Sequence, residues 1–148
     1  MKKLLLTILL IPFLLLLTAC ESGTLVDKTY KTLAVSQNVY DLIFKSLGDA
    51  YTDGLLSEEH KDLAIQKGNI YYNAYLKSAT LLKMYADTAE ENRTEGMKTM
   101  LLIATAQAVT EIKSLRKYIE TILNTQLDII DIPIYPELEN YMETPNDI

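Results

Sequence analysis

Apolar residues recur along most of this chain at steps of three and four, the spacing of one helical face, and no segment reads as a strand. The first such run covers about Leu25 to Thr52. Val26, Tyr30, Leu33, Gln37, Tyr40, Phe44, Leu47 and Tyr51 share one stripe. Val35, Val39, Leu42 and Ile43 widen it, as in a helix that faces two neighbours. Gly54, after Asp53, is a natural stop because glycine takes left-handed backbone without steric cost. Ser57-Glu58-Glu59 then reads as a helix start, with a capping hydroxyl and two carboxylates where the helix dipole favours them. The second helix is expected to reach about Ala86. Ala64, Gly68, Tyr71, Tyr75, Ser78, Leu82 and Tyr85 lie on its inner stripe, with Leu63, Ile70, Ala74, Leu81 and Met84 beside it. Small residues set among tyrosines predict a second helix at close range.

A polar break follows at 87–93. Thr88 with Glu91, and Thr94 followed by Glu95, offer competing helix starts. The third helix is expected from about Glu95 to Asn124, with Leu101, Thr105, Ala108, Ile112, Leu115, Ile119 and Ile122 forming the cleanest seam of the chain. Three long helices joined by short polar loops predict an all-α fold: an elongated, antiparallel, up-down-up three-helix bundle over 25–124. The tail, 125–148, breaks the pattern with Pro133, Pro136 and Pro145. Its apolar front, Leu127 to Tyr135, is expected to fold back onto the bundle, and Glu137 to Met142 to add a helical turn or two.

The start of the chain has a different character. Lys2 and Lys3 precede an apolar stretch from Leu4 to Leu17, interrupted by Thr7 and Pro12, and Thr18-Ala19-Cys20 follow. Charge, apolar core and small residues in that order are the layout of a secretory signal. The stretch is about 14 residues, short of the roughly 20 that a spanning helix needs. Leu17-Thr18-Ala19-Cys20 resembles the lipobox of bacterial lipoproteins. The resemblance covers residues 1–20 and implies a cleaved leader over 1–19, a lipid on the Cys20 sulfur, and a lipidated start and tether over 20–24. It also implies a cell-envelope location, membrane-anchored and facing the periplasm or exterior. Glu21 rather than Asp after the cysteine points, for lipoproteins as a class, to the outer membrane of a host with two.

Cleavage would leave about 130 residues, enough for one domain with a modest core. Cys20 is the only cysteine, so packing rather than a disulfide must hold the fold. The net charge is −6, and loss of Lys2 and Lys3 makes it more negative. Asp128, Asp131, Glu137, Glu139, Glu143 and Asp147 crowd the tail, which has no Lys or Arg after residue 127. Without a clustered basic patch, nucleic acid is not an expected partner.

Chemistry has few footholds. His60, the lone histidine, sits beside Glu58, Glu59 and Asp62 without a glycine-rich nucleophile elbow. Ser57, not a glutamate, stands three residues before it, so the di-metal pattern of helical bundles is missing. Met84, Met97 and Met100 read as core filler. No metal, cofactor or catalytic residue is expected, and the chain is not read as an enzyme. Tyr72, pointing away from the stripe of Tyr71 and Tyr75, and Tyr135 in the tail are the candidate partner contacts, because tyrosine buries area at low rotamer cost. The expected function is a non-catalytic lipoprotein, anchored through Cys20, that contacts another envelope protein or organises envelope structure. The alternatives are a carrier of a small apolar ligand or lipid, and a phage- or prophage-type lysis or exclusion lipoprotein. Low proline content departs from the outer spanin pattern.

Overall fold

A computed structural model of the chain describes residues 24–124, 127 and 131–142. The expected leader, Cys20 and residues 21–23 of the tether lie outside the described residues, as do 125–126, 128–130 and 143–148. Among the described residues the fold is helical with no strand. Three long helices, α1 (Leu25–Thr52), α2 (Glu58–Asp87) and α3 (Glu95–Leu123), pack against one another, and α4 (Pro136–Glu139) is a single turn. At 28, 30 and 29 residues, the long helices are each about 42–45 Å in length.

Each helix end has a local cause. Thr24, expected in the tether, instead caps α1: its Oγ1 accepts the Asp27 N–H at 3.2 Å, and Asp27 Oδ2 accepts the Thr24 N–H at 3.2 Å. Gly54 takes φ 72° and donates its N–H to the Tyr51 carbonyl at 3.1 Å, closing α1. Ser57 Oγ accepts the His60 N–H at 3.3 Å and opens α2. Of the two competing starts for α3, Thr94 prevails, its Oγ1 accepting the Met97 N–H at 3.2 Å. Thr88 closes α2 instead, its hydroxyl donating to the Met84 carbonyl at 2.7 Å. Between them lies a 3-10 turn, Glu90–Asn92. Arg93 Nε then reaches back to the Tyr85 and Thr88 carbonyls, both at 3.0 Å, placing a cation at the negative end of α2.

Small residues set which helices come closest. α2 and α3 share the most extensive backbone approach, with Ala74 and Ala108 in one buried cluster. At the centre, Ser78 and Thr105 hydroxyls meet at 2.7 Å, both fully buried. Thr105 donates to its own Leu101 carbonyl at 2.7 Å, so Ser78 is the donor between the two. α1 packs less closely, because rings stand between it and α2. Gly68 is where they need room: a Cβ there would come within 2.4 Å of Phe44 Cζ and 3.4 Å of Tyr40 Cε2. Gly68→Leu is therefore expected to destabilise by about 2 kcal/mol, overpacking outweighing the gain in helix propensity. Urea unfolding followed by circular dichroism checks it, and a more stable variant would contradict it.

The buried face of α1 differs from the expected stripe. Tyr30 and Tyr51 lie at its exposed margin, and its centre is Thr29, Thr32, Leu33, Ser36, Val39, Ile43, Leu47 and Ala50, of which Leu33 and Leu47 belong to that stripe. Three hydroxyls can occupy that centre because each meets a hydrogen-bonding partner. Ser36 accepts from Tyr71, Thr29 meets the Tyr135 hydroxyl at 2.7 Å, and Thr32 donates to the Pro133 carbonyl at 2.7 Å.

The last two partners come from the tail, whose described part lies on its own bundle. Tyr135 and Leu138 pack in one cluster with Leu102, Ala106 and Val109 of α3, with Leu25 of α1 against it. Lys28 Nζ lies 3.4 Å from Glu137 Oε1. At the other end of this strap, Arg116 Nη2 donates to the Leu127 carbonyl at 3.2 Å, and Glu120 Oε1 accepts the Leu127 N–H at 3.2 Å. Leu102, Ala106 and Val109 thus form a second buried face of α3, beside the seam that faces α2.

Candidate functional site

The densest aromatic region lies between α1 and α2. Tyr40 stacks near Phe44 (ring centroids 4.6 Å apart) and Tyr71 (5.1 Å), Tyr71 near Tyr75 (6.0 Å), and Tyr72 on Tyr75 (6.3 Å, planes 19° apart). Tyr71 is fully buried and donates its hydroxyl to Ser36 Oγ at 3.3 Å, while Ser36 donates to the Leu33 carbonyl at 2.9 Å. Tyr72 is at the edge of this layer, 42% exposed. Its ring has one face on Tyr75 and part of its surface free to meet another molecule.

Beyond the ring layer, toward the start of α1, side chains shrink and the two helices leave a groove. Val26, Tyr30, Leu33, Ala34, Gln37 and Asn38 line it from α1; Tyr75, Ala79, Leu82, Lys83 and Ala86 line it from α2. Its volume is about 620 Å³. The rings of Tyr40, Phe44, Tyr71 and Tyr75 hold the helices apart, and alanines at 34, 79 and 86 do not fill the space so created. Tyr30, 67% exposed, stands at the groove's edge. Asp27 also lines it, but its carboxylate is turned back onto Thr24. Lys83 pairs with Asp87 one turn on, both side chains largely exposed.

No family model, curated protein or solved structure matches this chain.

The other residues singled out in the sequence are taken up by the fold. Tyr135, a candidate partner contact, is 7% exposed, and its hydroxyl is on Thr29. A partner reaching its ring would first have to lift the strap. His60 Nδ1 lies 3.1 Å from the Tyr118 hydroxyl, joining the first turn of α2 to α3. Glu58 pairs with Lys61 at 3.2 Å. Arg93 serves carbonyls at the end of α2, and Arg116 serves Glu120 and the strap. Met84 and Met100 are exposed rather than core filler. Among the described residues, no three His, Cys, Asp or Glu side chains converge as metal ligands would. Cys20, the candidate lipidation site, lies outside the described residues.

The groove's signal in the sequence is its small residues. Ala79 and Ala86 lie on the flank of α2 that faces α1, across from Ala34. Small residues face one another there, where the neighbouring layer carries rings.

Buried phenols give the fold a pH limit. Burial pushes Tyr71 and Tyr135 above the ordinary value of 10.0. The folded chain therefore keeps these protons where the unfolded chain has released them. The stabilisation is full below about pH 10 and falls as pH rises through the raised values. Phenolate absorbance in an alkaline titration is expected to show two tyrosines ionising only as helicity is lost. Ionisation of all ten tyrosines with intact helicity would contradict this.

Proposed function

We propose that this chain is a lipid-anchored, non-catalytic lipoprotein of the cell envelope, whose helices run up, down and up and whose surface engages another envelope protein. The observation that carries the reading is Leu17-Thr18-Ala19-Cys20 at the end of a short apolar stretch behind two lysines. Two acyl chains on one cysteine give stable anchoring, whereas one chain alone is marginal.

The up-down-up course is supported by the order of cross-helix contacts. Lys61 lies over the Tyr51 ring, Gly68 meets Phe44, and Tyr71 meets Ser36, so α2 advances as α1 recedes. Likewise His60 meets Tyr118 and Ser78 meets Thr105. The start of α1 and the end of α2 then share one end of the rod, and the turn at Gly54 sits at the other. A lipid on Cys20, four residues before Thr24, would hold the first of these ends beside the membrane. No described helix is long and apolar enough to cross it.

A non-catalytic role is supported by where the polar side chains are engaged: His60, Arg93 and Arg116 each join parts of the fold. Tyr72 is the partner contact that this reading retains, as an anchoring ring with an exposed edge. The groove between α1 and α2 favours a second reading, carriage of a small apolar ligand.

Cys20→Ala tests the anchor. The variant is expected to take up no labelled palmitate and to show processing unaffected by globomycin, whereas the parent chain is labelled and its processing blocked. Labelling of the variant equal to that of the parent would refute lipidation at this residue. A photoreactive residue at Tyr72 is expected to crosslink one specific envelope protein, and random crosslinking would remove Tyr72 as a contact.

A further inference from the structure

The dimensions of the α1–α2 groove select among occupants. Its lining runs from Val26 to Asn38 along α1, about 18 Å at 1.5 Å per residue. A groove of that length takes an extended chain laid along it. The volume also falls in the range of about 300–1,000 Å³ typical of small-ligand sites.

The wall defines the ligand's chemistry. Val26, Leu33, Ala34, Ala79, Leu82 and Ala86 present hydrocarbon along the groove. Lys83 is the cation among the lining residues, and its bond to Asp87 is an exposed pair one turn apart, the kind that exchanges at little cost. Asp27, the acid among them, is already held by the Thr24 N–H and hydroxyl. An apolar trench with one exchangeable ammonium suits a long alkyl chain carrying an anionic head.

We propose that this groove binds a single long-chain fatty acid, the alkyl chain lying between α1 and α2 and the carboxylate on Lys83. The proposal deepens the carrier reading and rests on it. Position supports it: the groove begins two residues beyond Thr24, at the end that an anchor on Cys20 would hold against the bilayer. Fatty acid leaving the membrane would then enter without crossing the length of the rod.

The test supplies diazirine-bearing palmitate to the full-length chain in phosphatidylethanolamine–phosphatidylglycerol vesicles, with crosslinked peptides mapped by mass spectrometry. Label is expected within residues 26–38 and 75–86. Ala79→Phe, which fills the trench, is expected to lower it at least tenfold with helicity unchanged, and Lys83→Met at least threefold. Label insensitive to both substitutions, or spread over the rest of the surface, overturns the proposal. So does capture of a protein, in place of palmitate, by a photoreactive residue at Tyr30 in whole cells. Cys20→Ser with palmitate delivered on albumin separates the site from the anchor. Groove label that survives in this chain supports the site whatever becomes of the anchor. A lipidated parent chain without groove label overturns the site and leaves the anchor standing.

Discussion

Tyr71→Ala is expected to cost about 3–5 kcal/mol of folding stability, the range for emptying a buried aromatic position. Tyr71 is fully buried and is the largest side chain of the core with no exposure. It packs with Ala64, Ile43 and Ile112 in a cluster that draws on all three long helices. Its ring also abuts Tyr40 and Tyr75, so truncation removes the floor of the aromatic layer as well as a core contact. Domains of this size are stable by about 5–15 kcal/mol, so the variant retains little margin. Tyr71→Phe keeps the ring and loses only the hydroxyl bond to Ser36, and is expected to cost about 1 kcal/mol. Urea unfolding of the three proteins measures both differences. A Tyr71→Ala loss below about 1 kcal/mol would mean that the helices are not joined through this ring.

Leu138→Ala is the second large effect, and its size has a ceiling. Leu138 is fully buried against Leu102, Ala106 and Val109, and removing such a leucine typically costs about 2–5 kcal/mol. If the strap opens while the long helices stay packed, the loss cannot exceed the free energy that holds the strap down. We expect about 2 kcal/mol, at the low end of the range, together with local opening. Hydrogen exchange is expected to quicken at the strap's own amides, such as Leu138 and Glu139, whose N–H groups bond to the Tyr135 carbonyl at 2.9 and 3.1 Å. Exchange at Ala74 and Ala108, in the α2–α3 interface, is expected to hold nearly constant. Uniform quickening across all helices would show that the strap is part of one cooperative unit.

Much of the fold is legible in the sequence, for reasons that these residues make plain. A helix that buries one face repeats its apolar positions every three to four residues, and the seam from Leu101 to Ile119 states this for α3 without ambiguity. Starts are equally local, since Ser57 and Thr94 need only the N–H groups three residues on. The buried face of α1 was harder to read. Its centre holds Thr29, Thr32 and Ser36, which look like surface residues until Tyr135, Pro133 and Tyr71 supply their partners from far along the chain. The apolar front of the tail signals that it folds back, but that the Tyr135 hydroxyl meets Thr29 is visible only once the two segments are brought together. The groove was the least legible feature. It arises from a mismatch between layers, rings in one and alanines in the next, which no single helix pattern reveals.

The proposed function rests most heavily on one residue. Cys20 carries the anchor in this account, and the mass of the protein recovered from its native membranes tests that most directly. A polypeptide beginning at Cys20 and carrying the added mass of a diacylglyceryl group is the predicted result. A chain that retains residues 1–19, or that begins elsewhere with a free thiol, would contradict it.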